Sequence, residues 1–172
     1  MGLILDDGGT KLRFSVDSIG NNNVDDYSKL DYWMVISVSV NNKFFNYRYR
    51  GETLQYADLI SIRNTLNTLL ENRLKQKEKL DFIEPDLEFM LYPQLDLRTI
   101  PGTWCKEGYE IQDISVDFKI NLPDNERGYS GEYHVVPLLR DEIVIWRDYL
   151  DQAIKDFDAR NIENARIGWT RR

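Results

Sequence analysis

Trp33-Met34-Val35-Ile36-Ser37-Val38-Ser39-Val40 is followed by Asn41-Asn42 and then by Phe44-Phe45-Asn46-Tyr47-Arg48-Tyr49-Arg50. The first run is rich in β-branched side chains. In the second, Phe45, Tyr47 and Tyr49 alternate with Asn46, Arg48 and Arg50, the period of a strand with one dry and one wet face. The asparagine pair between them tolerates positive φ, which predicts a hairpin with a two-residue turn. From about residue 55 to 76 the period lengthens, because Leu59, Ile62, Leu66, Leu69, Leu70 and Leu74 recur at the three- and four-residue steps that form one stripe on an α-helix. Lys75-Gln76-Lys77-Glu78-Lys79 then sets positive charge at the C-terminal end, where it complements the helix dipole. The local unit is a hairpin closed by an amphipathic helix.

The same order recurs later. Ile111 to Ile120 reads as a strand with Gln112, Ile114, Val116, Phe118 and Ile120 on one side and Asp113, Ser115, Asp117 and Lys119 on the other. The loop Leu122 to Gly128 returns the chain to a paired strand, Tyr129–Val136. A second helix over about 138–157 buries Leu139, Ile143, Trp146, Leu150, Ala153, Ile154 and Phe157. Residues 32–76 and 110–157 therefore share an order, either through a degenerate duplication or because a hairpin followed by a helix is a common way to cover one sheet face. Ahead of both units, alternation at Leu12, Phe14 and Val16 after the turn sequence Asp6-Asp7-Gly8-Gly9 predicts a hairpin over 2–18. Residues 20–31 are polar and aperiodic and read as a surface loop. Phe82 to Tyr92 is extended, with Pro85 placing it at a sheet edge or starting it beyond the proline, and 93–108 is irregular. These readings predict an α+β fold with an antiparallel sheet, flat or strongly curved, of about seven strands and two helices packed on it. They assign 1–158 to one domain and 159–172, with Arg160, Arg166, Arg171 and Arg172, to a C-terminal tail.

Composition narrows the function classes. A chain of 172 residues suits one core, and 42% hydrophobic with 12% aromatic residues suffices to fold it. Lys plus Arg total 22 against 29 Asp plus Glu, so the net charge is −7, and the sequence pI is near 4.8. That argues against direct nucleic-acid binding, which requires basic residues to displace counterions. The single cysteine, Cys105, forms no internal disulfide, and Met1 to Asp7 lacks the cationic and apolar segments of a signal peptide, so a reducing cytoplasm is expected. No apolar run reaches the roughly 18–20 residues that cross a bilayer; the longest candidate, Trp33 to Val40, contains two serines.

Few residues carry obvious chemistry. His134 is the only histidine and reads as a half-buried strand residue, so a multi-histidine metal site is ruled out. Cys105 lies beside Lys106, and the glycines of Asp6-Asp7-Gly8-Gly9 and Gly128-Tyr129-Ser130-Gly131 lack phosphate-binding spacing and read as turns. Neither a cofactor nor a metal is expected. Glu84, Asp86 and Glu88 stand out: at alternate positions of a strand they project from one face, with Ile83, Leu87, Phe89 and Leu91 on the other. That stripe reads either as a solvated face that discourages edge pairing or as a docking surface for a basic partner.

Three features together resemble the WapI-type immunity proteins that accompany contact-dependent polymorphic toxins of bacteria. They are the strand opening Asp31-Tyr32-Trp33-Met34-Val35-Ile36-Ser37-Val38, the Leu59 to Leu74 helix, and Phe82-Ile83-Glu84-Pro85-Asp86-Leu87-Glu88-Phe89, which is similar to a Phe-x-Glu-Pro-x-Leu-x-Phe segment of that family. The resemblance covers about residues 10–92 and extends to about 157 through the order of elements. Methionine after the tryptophan, and Leu69-Leu70 where a tryptophan-leucine pair is usual, are departures that leave the toxin class open. The resemblance implies a non-enzymatic, cytoplasmic protein, monomeric or a weak homodimer, whose partner is the C-terminal domain of a cognate toxin, commonly a nuclease. An acidic inhibitor suits the basic cleft of such an enzyme. Glu84, Asp86 and Glu88 would face its cationic residues, Asp25, Asp26 and Asp31 would add charge from the loop, and Tyr27 and Trp104, with Tyr32, Tyr92 and Tyr109, would serve as aromatic anchors. Two other readings compete: a small-molecule pocket near 93–109, where Trp104, Cys105 and Tyr109 cluster, and a self-associating subunit with an exposed edge strand.

Overall fold

The computed structural model describes the backbone of residues 2–6, 9–20, 29–124 and 128–169, with side chains in those ranges except 123–124, 128–131 and 160–169. Strands β1 (Leu3–Asp6), β2 (Thr10–Ile19), β3 (Trp33–Asn42) and β4 (Asn46–Gln55) form one antiparallel sheet in that order. Alternation does what period-2 patterning requires, burying Leu3 and Leu5, Leu12 and Phe14, and Met34, Ile36, Val38 and Val40 on one face. The β3–β4 turn is one residue longer than the asparagine pair suggests. It spans 43–45, and the Asn42 side chain accepts the Phe44 and Phe45 N–H groups at 2.9 and 2.8 Å, replacing a tight turn with an Asx turn.

Helix α1 (Tyr56–Leu70) follows β4 without a loop, and the Gln55 N–H donates to the Asp58 carboxylate at its start. It ends earlier than the leucine spacing predicts. Asn72 adopts φ 54°, a left-handed conformation that terminates helices, and the Arg73 N–H closes back on the Thr68 carbonyl. Leu74 thus reaches the core from beyond the helix, and Glu78 and Lys79 belong to a strand.

That strand, β5 (Glu78–Asp81), pairs with β6 (Leu87–Tyr92), confirming that the 82–92 segment becomes a strand only after Pro85. Two short strands, β7 (Leu95–Asp96) and β8 (Ile111–Gln112), form a separate ribbon, so the expected strand 111–120 is divided and Gln112 is exposed. β9 (Ser115–Asp124) and β10 (Gly128–Leu139) complete a second antiparallel sheet in the order β10-β9-β6-β5. The α+β class with two helices holds, with the strands divided between two four-stranded sheets and the ribbon instead of one seven-stranded sheet. Helix α2 (Arg140–Trp169) follows β10 directly and continues past residue 158, where the sequence reading begins a tail.

Both sheets and α2 meet at Trp146. Its ring lies 4.9 Å from Phe89, 5.5 Å from Phe118 and 6.2 Å from Phe14, in edge-on or tilted contacts. The helices run antiparallel: ascending α1, Tyr56 stacks on Phe157 at 4.1 Å, Arg63 pairs with Asp151 at 2.7 Å, and Asn67 accepts from Arg147 at 2.8 Å. Among the described residues no helix is long and apolar enough to cross a membrane.

Candidate partner-binding surfaces

Residues 82–86 form the turn between β5 and β6 rather than part of a continuous strand, and that changes where Glu84, Asp86 and Glu88 go. Alternation does not apply across 82–86, so Glu84, Asp86 and Glu88 do not line up as one exposed acidic stripe, the arrangement that both the solvated-face and the docking-surface readings assumed. Glu84 is half-buried in the turn. Asp86, 7% exposed, accepts hydrogen bonds from the Tyr49 hydroxyl at 2.8 Å and the Thr53 hydroxyl at 3.2 Å, both on β4 of the other sheet, while its carbonyl accepts the Asn121 N–H. Burial pushes the Tyr47 phenol above its usual range, and the Asp86 charge adds to this. Glu88, 9% exposed, accepts from Lys119 at 2.7 Å and Lys79 at 3.0 Å. Burial pushes its carboxyl up, but the two ammonium groups outweigh this and hold it below the ordinary value. Of the apolar positions of the segment, Leu87 and Phe89 are buried and Phe82 packs on Phe89 at 5.4 Å, whereas Ile83, expected on the same inner face, is 68% exposed because it lies in the turn.

Asp31 is exposed in a short 3-10 turn, Lys29–Asp31. Asp25, Asp26 and Tyr27 lie outside the described residues. Tyr32 packs edge-on against Phe157, and Tyr92 donates to Asp117 beneath Lys77, so neither is a free anchor.

Trp104 and Tyr109 are placed differently. They sit on the excursion between β6 and β9, 85% and 67% exposed, with Leu95, Ile100 and Ile111 also exposed on the same segment. Local bonds shape it. Asp96 caps the turn Leu97–Thr99 and holds Arg98 through two contacts of 2.8 and 2.6 Å. Gly102 and Gly108 take φ of 79° and 87°, which side chains resist. Lys106 lies over the Tyr109 ring at 5.6 Å and Cys105 is half-buried. Because the two rings face solvent, they do not close the pocket that the sequence suggests between this segment and the sheet. Sequence reasoning also missed Phe44, exposed at the β3–β4 tip. The signal was the Phe44-Phe45 doublet, since alternation lets only one of two neighbours turn inward; Phe45 does so, stacking on His134 at 4.0 Å. Burial lowers the pKa of that imidazole.

A groove borders the far end of β2. β1 pairs only with Lys11–Phe14, so Ser15–Ile19 has β3 as its strand neighbour and the Val16 N–H donates instead to the Tyr149 hydroxyl of α2 at 2.8 Å. The groove between them encloses about 500 Å³. Asp17, at a β-bulge on its edge, accepts from Ser15, Ser37 and Arg50. Burial raises its pKa, but these partners outweigh it and hold the carboxyl below the usual range.

Among the described residues no three His, Cys, Asp or Glu side chains converge on a metal site. An exposed aromatic patch on a braced excursion and an acid-edged groove are what an interaction module presents. The sequence matches the model of the immunity protein WapI-like family over residues 3–160, and the chain belongs to that family. No curated protein matches it.

Proposed function

We propose that this protein protects the cell that makes it by binding a cognate toxin domain in the cytoplasm and covering its active cleft, with no bond made or broken, and that the toxin is a contact-delivered nuclease. Membership of an immunity family supports the partner class. The net charge of −7 supports a basic target, because opposite fields speed encounter with a surface built for an anionic substrate. The observation that carries the contact is Trp104: a tryptophan 85% exposed, flanked by four other exposed apolar side chains, matches the aromatic anchors that dominate binding energy. Glu84 and Asp31 add negative charge at the surface, Asp25 and Asp26 of the sequence add to that charge, and Tyr27 is a further aromatic anchor. Asp86 and Glu88 act inside the molecule, holding the strands that carry the excursion.

Growth rescue on co-expression with the toxin domain tests this. Trp104→Ala combined with Tyr109→Ala should weaken the complex by about 2–4 kcal/mol, one and a half to three decades in Kd, and remove protection while thermal stability stays within about 0.5 kcal/mol of the parent. Full protection by this double variant would place the contact elsewhere.

A further inference from the structure

The groove beside β2 is built from elements other than those that carry Trp104, and its chemistry is specific. Its floor is apolar, made by Val16, Met34, Ala153 and Phe157. Asp17 of β2 and Asp156 of α2 stand at its edges, and none of the residues lining it is a lysine or arginine. Arg50 offsets Asp17 from the β4 side of the sheet, whereas Asp156 accepts from the neutral Gln152 amide at 2.7 Å. Tyr149, between them, reports the field. Burial raises its phenol pKa, the Val16 N–H acts the other way, and the charges of both Asp17 and Asp156 push it further up. An apolar floor with anionic edges matches a side chain that has a methylene stem and a cationic head. At about 500 Å³ the groove has room for such a residue together with its neighbours in the chain.

We propose that this groove receives an arginine or lysine side chain projected by the toxin, the stem lying on Met34 and Phe157 and the head between Asp17 and Asp156. The proposal rests on the toxin-binding reading above and adds the chemistry of a second contact. An arginine here makes charge-assisted hydrogen bonds that a neutral isostere cannot.

Two measurements test it. The isotope-labelled full chain is titrated with N-acetyl-arginine methylamide and, separately, with the uncharged citrulline analogue, following amide resonances. Arginine should shift Val16 and Ala153, with binding at least about fivefold weaker for citrulline and for Asp156→Asn, and weaker again as salt is raised. Trp104→Ala should leave this titration unchanged. In the growth assay, Asp156→Lys should reduce protection at limiting expression; Asp156 is exposed, so the fold should tolerate the change, and a melt of the purified variant verifies that it does. Equal response to citrulline, or shifts confined to other residues, would overturn the proposal. Arginine binding with full protection by Asp156→Lys would also overturn it, pointing to a free cationic metabolite instead of the toxin. Failure of the function itself is distinguishable, since the parent protein would then not protect at all.

Discussion

Asp86 accepts hydrogen bonds from Tyr49 and Thr53 of β4 while its own chain leads into β6, so one carboxylate ties the two four-stranded sheets together. Removing it strips both hydroxyls, which also bond to each other at 2.6 Å, of their carboxylate acceptor and empties a buried site between the sheets. Asp86→Ala should therefore destabilise the protein by about 2–4 kcal/mol in urea melts, with Asp86→Asn, which keeps an acceptor, costing less. A change below about 0.5 kcal/mol for Asp86→Ala would remove the carboxylate from this role. Alternating spacing in Glu84-Pro85-Asp86-Leu87-Glu88 suggested a wet acidic face because period 2 holds only within a strand, and the strand begins at Leu87. What sequence could not reveal is that Tyr49 and Thr53, more than thirty residues earlier, would arrive beside Asp86.

At the scale of elements, the leucine stripe of α1 and the Ile143, Trp146, Leu150, Ile154 and Phe157 stripe of α2 were legible because helical burial recurs at 3.6 residues. The early end of α1 was not, since it depends on the backbone of a single asparagine. Trp146 gives α2 its place, with Phe14, Phe89 and Phe118 from three strands around it. Trp146→Ala should cost about 3–5 kcal/mol through the cavity it leaves. Among the described residues the Trp146 indole N–H has no acceptor, so Trp146→Phe should cost clearly less than the alanine variant. Equal midpoints for the two variants would count against the aromatic packing as the source of the effect.

Over the whole molecule, acidity serves two ends: net charge directed outward and carboxylates tied to cations within the fold. Arg140 holds Asp113 below its usual range, Lys29 does the same for Asp158, and at Glu88 two lysines outweigh burial to the same effect. A carboxylate whose folded pKa is lowered stabilises the fold fully above its unfolded value, near 4.5 for Glu88, and loses that contribution as pH falls through the lowered one. Glu88→Gln should thus cost about 1 kcal/mol or less at neutral pH after solvent screening, and the gap from the parent should narrow in acid melts as the parent's own carboxylate protonates. A gap that widens in acid would contradict the sign. The sequence by itself determined the α+β class, the two hairpin-and-helix units and the acidic charge, because periodicity and composition are local or additive properties of the chain. Only the tertiary structure decided which carboxylates stay on the surface, that Trp104 stands exposed, and that β2 and α2 enclose a groove, because each depends on which distant segments pack together.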